Sequence, residues 1–114
     1  MKQEKNQNCC DVSELGSAGA TNIERACDVF RMLSEPSRFK IVYALRAGEL
    51  CVYHILQAVG GTQSAISHQL RVLKDNRVLR ARRDGQNIYY SLADEHIKQI
   101  VEMGLCHGEC GGVV

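Results

Sequence analysis

At 114 residues the chain can build one domain around a single modest core, but not two. Its formal net charge of +1 says little as a total, and no stretch is apolar for long enough to span a bilayer. Residues 1–8 are polar and show no signal-peptide pattern, which predicts a cytoplasmic protein whose thiols stay reduced. Six cysteines in that setting (Cys9, Cys10, Cys27, Cys51, Cys106 and Cys110) point to metal or redox chemistry rather than disulfides. Cys27 is the exception. Set among Ala26, Val29 and Phe30, it is expected to be a small buried hydrophobe.

Residues 1–20 read as a flexible N-terminal arm, polar, with Gly16 and Gly19 and no helical stripe. From Ile23 the apolar positions Ala26, Cys27, Phe30 and Leu33 recur at helix spacing. Ser34 is expected to end that helix and cap the next, with Pro36 in the new first turn. Phe39, Ile41, Val42, Ala44 and Leu45 make the second helix apolar on most sides, hence central, and Gly48 stops it. A short helix over about 52–59 closes at Gly60 and Gly61, and another runs from about 62–64 to 76. A short helix, a glycine turn and a second helix form a helix-turn-helix pattern. The period then changes: 78–83, a turn at Asp84 and Gly85, and 86–91 read as a β-hairpin. Asp94 opens a last helix expected to end near Gly108 and Gly111. The fold class is therefore mainly α with a small β-hairpin, a dimeric winged helix-turn-helix. The domain covers 21–110, including a C-terminal dimerisation helix, and 111–114 form a tail.

Charge is distributed unevenly. Between residues 71 and 83 stand Arg71, Lys74, Arg77, Arg80, Arg82 and Arg83 against Asp75 alone. The last helix reverses the sign, with Asp94, Glu95, Glu102 and Glu109 against Lys98. A basic segment beside an acidic one fits a polyanion surface next to a cation site. The second helix of the pair carries Thr62, Gln63, Ser64, Ser67, His68, Gln69 and Arg71, while Ala65, Ile66, Leu70 and Leu73 supply its buried face. Hydroxyls and amides at a helix N-terminus can reach phosphates and base edges. Arg82, Arg83 and Gln86 around the tight turn suit backbone or minor-groove contact. One such module covers little DNA, so a homodimer on double-stranded operator DNA is expected.

The last helix also holds Asp94, His96, His107 and Cys110. His96 and His107 are 11 positions apart, about 1100° of rotation, so their rings lie only about 20° apart around the axis yet about 16 Å apart along it. Ligands of one zinc ion sit about 2.0–2.3 Å from the metal, so a single helix cannot close this site. Two antiparallel copies can, with Asp94 and His96 of one chain facing His107 and Cys110 of the other. Asp94 serves equally as a plain N-cap, and Cys106 and Glu109 are rival ligands. A second cluster combines Cys51 and His54, spaced i, i+3, with Cys9 and Cys10 of the arm. Folding of the arm onto Cys51 and His54 would suit cadmium, lead or zinc; the alternative is an arm that ligates nothing and a Cys51 in the core.

The segments LSEPSR (33–38), ELCV (49–52), SAISHQLRVL (64–73) and GQNIYY (85–90) resemble the ArsR/SmtB family of metal-responsive repressors, over about residues 23–110. The resemblance implies a homodimer that binds its operator when metal-free and is released by Zn2+ or Cd2+, with Pb2+ a third candidate. It implies a zinc site of Asp94, His96 and His107, with Cys110 where a carboxylate or histidine is usual, hence a softer site. The family's other site often uses a Cys-Val-Cys run, but Tyr53 stands where its second cysteine would be, which argues against an arsenic trithiolate. His54 stands where similar zinc sensors carry an acidic ligand, leaving a set of Cys9, Cys10, Cys51 and His54. No phosphate loop and no nucleophile with a base is present, and four protein ligands leave the metal no open position, so neither an enzyme nor a small organic substrate is expected. The alternative function on the same fold is a thiol-based redox or persulfide sensor using Cys106 or Cys110.

Overall fold

A computed structural model describes the backbone over residues 18–113 and side chains over 21–109. The elements run α1 (Ala18–Leu33), α2 (Pro36–Ala44), a 3-10 turn (Leu45–Ala47), β1 (Leu50–Cys51), α3 (Val52–Val59), α4 (Gln63–Asp75), β2 (Leu79–Asp84), β3 (Asn87–Leu92) and α5 (Glu95–Val113). The helices α3 and α4 form the helix-turn-helix, and β2–β3 form the wing. Among the described residues no helix is long and apolar enough to cross a membrane.

Helix α1 starts earlier than its apolar spacing predicts and has two faces. Val29, Met32 and Leu33 pack on the core, whereas Ile23, Cys27 and Phe30, spaced i, i+4 and i+7, are exposed. The expected burial of Cys27 therefore does not hold within one chain: its stripe points away from α2. The cap of α2 also differs from expectation. Proline forces the residue before it into extended backbone, so the cap falls on Glu35 (φ −86°, ψ 126°), whose Oε1 accepts from the Arg38 N–H at 2.9 Å. Ser34 instead donates its hydroxyl to the Arg31 carbonyl.

Thr62 caps α4 by accepting from the Ala65 N–H at 3.1 Å. The far end of α4 closes in a Schellman arrangement: the Arg77 N–H bonds the Lys74 carbonyl and the Val78 N–H bonds the Leu73 carbonyl. Arg77 takes the left-handed position usually given to glycine, at φ 64°. Val78 is thus part of this closure, and the wing begins at Leu79.

The wing turn is Gly85 and Gln86, one residue later than expected, because Asp84 still pairs with Asn87. Gly85 has φ 67° at the first turn position, the sign pattern of a II′ hairpin. A third strand joins this hairpin. β1 pairs antiparallel with β3 (Leu50 opposite Tyr90, Cys51 opposite Tyr89), giving sheet order β1-β3-β2. Two residues are too few to show an alternating pattern, so β1 has no signature of its own in the sequence.

One core joins the elements: Ile41, Val42 and Leu45 of the α2 region, Ile55 of α3, Ile66, Leu70 and Leu73 of α4, Val78, Leu79, and Ile97 and Val101 of α5. Helix α5 runs through Gly104 and Gly108 to Val113 rather than stopping at the glycines, neither of which takes positive φ.

Candidate DNA-binding surface and metal ligands

With Ile66, Leu70 and Leu73 buried, the opposite face of α4 presents Ser64, Ser67, His68 and Arg71 to solvent. Thr62 uses its oxygen as the cap but keeps a hydroxyl hydrogen to donate. Gln63 turns to one flank, where it shares a cleft with Gln86, Asn87 and Ile88 of the wing turn. Gln69 is half-buried on the other flank, its Oε1 accepting from Arg38 Nη1 at 3.2 Å. Arg38 closes the LSEPSR segment, but nothing in its spacing marks it as a partner of Gln69. It also donates from Nε to the Met32 carbonyl at 2.9 Å, so it ties the end of α1 to α4, the expected recognition helix.

Arg82, Arg83 and Gln86 are all exposed on the wing. Arg82 is already engaged: its Nη2 and Nε donate to the two carboxylate oxygens of Glu49, and its guanidinium lies 4.9 Å from the Tyr89 ring centre. The Arg82 hydrogen bond and charge hold the Glu49 carboxyl below its ordinary range, and Glu49 in turn raises Arg82. Glu49 precedes β1 by one position, and nothing in its spacing marks it as a partner for a residue 33 positions away.

Asp94 sits at the start of α5 and accepts from the Ile97 N–H at 3.1 Å, so it is an N-cap. It also faces His96, with Asp94 Oδ1 and His96 Nδ1 3.7 Å apart and side chains 52% and 84% exposed. Two ligands of one tetrahedral zinc ion stand about 3.3 Å apart for an oxygen and a nitrogen, so the pair fits half of a site with a small adjustment. His107, Cys106 and Glu109 are exposed farther along the same unbroken helix. Cys110 lies in α5, but its side chain falls outside the described residues. Among the described residues no group of three or more His, Cys, Asp or Glu side chains is close enough to hold one ion.

At the second cluster Cys51 Sγ and His54 Nδ1 are 3.2 Å apart, the thiol half-buried and the imidazole exposed. Sulfur and nitrogen on one tetrahedral zinc stand about 3.5 Å apart, so this pair too is close to a chelating geometry. Cys51 thus lies at the rim and not in the core. Tyr53 packs edge-on against His54, with ring centres 5.4 Å apart. Cys9 and Cys10 lie outside the described residues.

Residues 35–81 match the family model described as bacterial regulatory protein, arsR family. A transcriptional repressor SmtB homolog from Synechocystis sp. is 42% identical over 77 residues, 68% of this chain and 58% of that protein. A cadmium resistance transcriptional regulatory protein CadC homolog from Staphylococcus aureus is 42% identical over 80 residues, 69% of this chain and 66% of that protein. The chain thus spans less than two thirds of the length of these two relatives. The crystal structure of the AntR antimony-specific transcriptional repressor superposes with a TM-score of 0.75 at 36% identity, covering 89% of each chain.

Proposed function

This chain belongs to the ArsR family of bacterial regulatory proteins, and we propose that it is a homodimeric, operator-binding repressor released by zinc or cadmium. The family is one of transcriptional regulators, not enzymes. The ion is held between subunits, by Asp94 and His96 of one and His107 and Cys110 of its partner. One observation carries the reading: Asp94 and His96 face each other at one end of an unbroken α5, and His107 lies about 16 Å farther along nearly the same face. Only a second, antiparallel helix completes either half. The exposed apolar residues Ile23 and Phe30 of α1 and Met103 of α5 support a pairing through these two helices. The protein works in the cytoplasm, where the thiols of both clusters stay reduced.

Release follows from linkage. An ion that binds better to the arrangement with misplaced recognition helices weakens DNA binding, and DNA weakens the ion by the same factor. The fold supports a short route: Asp94, His96 and Ile97 share a cleft with Asp75, Asn76 and Arg77, where α4 ends. A shift in the first turn of α5 therefore meets the closing turn of the recognition helix directly. Cys51 and His54, joined by Cys9 and Cys10 from the segment before α1, form a second and softer site suited to cadmium or lead.

The test is a metal titration of wild type, a Cys9/Cys10 double variant and His96→Ala and His107→Ala variants. Fluorescence anisotropy follows operator release, and sulfur-to-metal charge-transfer bands count thiolates. The His variants should bind operator and lose metal-induced release; normal release at the same free zinc would remove the α5 site from regulation. Release of metal-free protein by peroxide or polysulfide, with chelator present, would favour a redox sensor acting through Cys106 or Cys110 instead.

A further inference from the structure

The two flanks of the recognition helix are furnished differently. A helix about 10–12 Å across, lying in a major groove about 12 Å wide, brings both phosphate walls close to its sides. On one flank the wing turn stands next to Gln63, so the wing can reach one wall. The other flank opens into a separate cleft formed by Ala65 and Gln69 with Ser37 and Lys40 of α2 and Gly60 and Gly61 of the helix-turn-helix turn. We infer that this cleft seats one backbone phosphate of the bound duplex on the wall opposite the wing. Lys40 supplies charge, and Ser37 and Gln69 supply hydrogen bonds. The inference rests on the reading of the protein as DNA-binding.

The cleft is equipped with donors. Arginine has no acceptor, so the 3.2 Å contact from Arg38 Nη1 fixes the oxygen of the Gln69 amide on that side and leaves its NH2 group for another partner. Arg38 cannot easily turn away, because its Nε is bonded to the Met32 carbonyl and its Nη2 lies 3.5 Å from the Arg31 carbonyl. It also places a second positive charge behind the amide. Lys40 is exposed and Ser37 half-buried. The carboxylate of Glu35, the acid nearest in sequence, is occupied as the cap of α2. Gly60 and Gly61 have φ of 88° and 93°, and beyond their immediate chain neighbours no atom lies within 4 Å of where a Cβ would stand on either. One side of the cleft is therefore bare backbone, open to a close approach.

The experiment measures binding of metal-free protein to a fluorescent duplex of arbitrary sequence over a range of salt concentrations. Each phosphate contact contributes about 0.9 to the slope of log K against log salt. Lys40→Gln should bind more weakly at low salt and lower that slope by about 0.9 per seat, so a fourfold rise in salt costs it about 3.5-fold less affinity per seat than wild type. Gln69→Glu retains a partner for Arg38 but turns the seat negative, and should weaken binding at least as much. Lys98→Gln, on α5, removes a charge elsewhere and should leave the slope alone. Wild-type slopes and affinities in both Lys40→Gln and Gln69→Glu would overturn the seat; because Lys40 is exposed, its variant keeps this test open even if Gln69→Glu misfolds. A wild type that binds no duplex would refute the DNA-binding reading itself. Inorganic phosphate supplies the remaining arm: if it shifts the Gln69 side-chain amide resonances at constant ionic strength while duplex does not, the cleft takes free anions and the inference fails.

Discussion

A metal site divided between two chains makes a stoichiometric prediction. In a dimer the first site uses His96 of one subunit and His107 of its partner, and the second uses the same pair reversed. A His96→Ala homodimer therefore loses an imidazole from both sites, and so does a His107→Ala homodimer. When the two variants are mixed and allowed to exchange subunits, about half of the dimers are heterodimers. In each of these, one site carries both lesions and the other carries none. About one quarter of the wild-type tight sites should return, although neither variant alone has any. The basis is the length of α5: 11 residues at about 1.5 Å each separate the two histidines, far beyond the reach of one ion. Competition against a chromophoric chelator counts tight zinc sites in each variant and in the exchanged mixture. A mixture that recovers no tight sites, or single variants that keep them, would refute the intersubunit assignment.

Three further outcomes follow from particular contacts. Glu49→Gln frees Arg82 and removes a negative charge from beside the wing; DNA affinity at low salt should rise, with a salt slope steeper by up to about 0.9 per subunit, measured by anisotropy. Arg77→Gly relieves a left-handed residue that costs about 1–2 kcal/mol, against about 0.5–1 kcal/mol of glycine entropy. The net gain of between about 0 and 1.5 kcal/mol should leave Tm unchanged or raise it by up to about 8 °C in a domain of this size, and a fall in Tm would contradict the αL strain argument. Cys51→Ser should reduce the cadmium charge-transfer absorbance at the second cluster without changing the number of tight sites on α5, both read in one titration.

Much of the fold was legible because it depends on short-range signals. Glycine pairs, a proline and changes of hydrophobic period marked α2, α3, α4 and the hairpin to within a residue or two. Long-range partners were not legible. Glu49 and Arg82 are 33 positions apart, and Arg38 and Gln69 are 31 apart; neither pair follows any local period. The third strand was missed for a related reason, since two residues gain strand character only from pairing with β3. Cys27 illustrates another limit: helix spacing shows that Ile23, Cys27 and Phe30 share a face, but not whether that face turns inward. For the candidate metal ligands, helical rise and rotation fix relative positions along α5 without knowledge of the rest of the fold.

That outward stripe explains why a dimer of this protein should respond to metal. Phe30 is 58% exposed and Met103 69% exposed, and burying an exposed apolar side chain contributes at most about 1.5–3 kcal/mol. With Ile23 these residues give each subunit an exposed apolar surface on α1 and α5 that pairing would cover. An ion that binds only one arrangement of the pair favours it by about 2.7 kcal/mol per site at a hundredfold excess over its Kd. On the proposed assignment, ligands at the two ends of α5 would draw the dimer toward the arrangement that brings them together, and occupation of the site would shift how the two recognition helices are held.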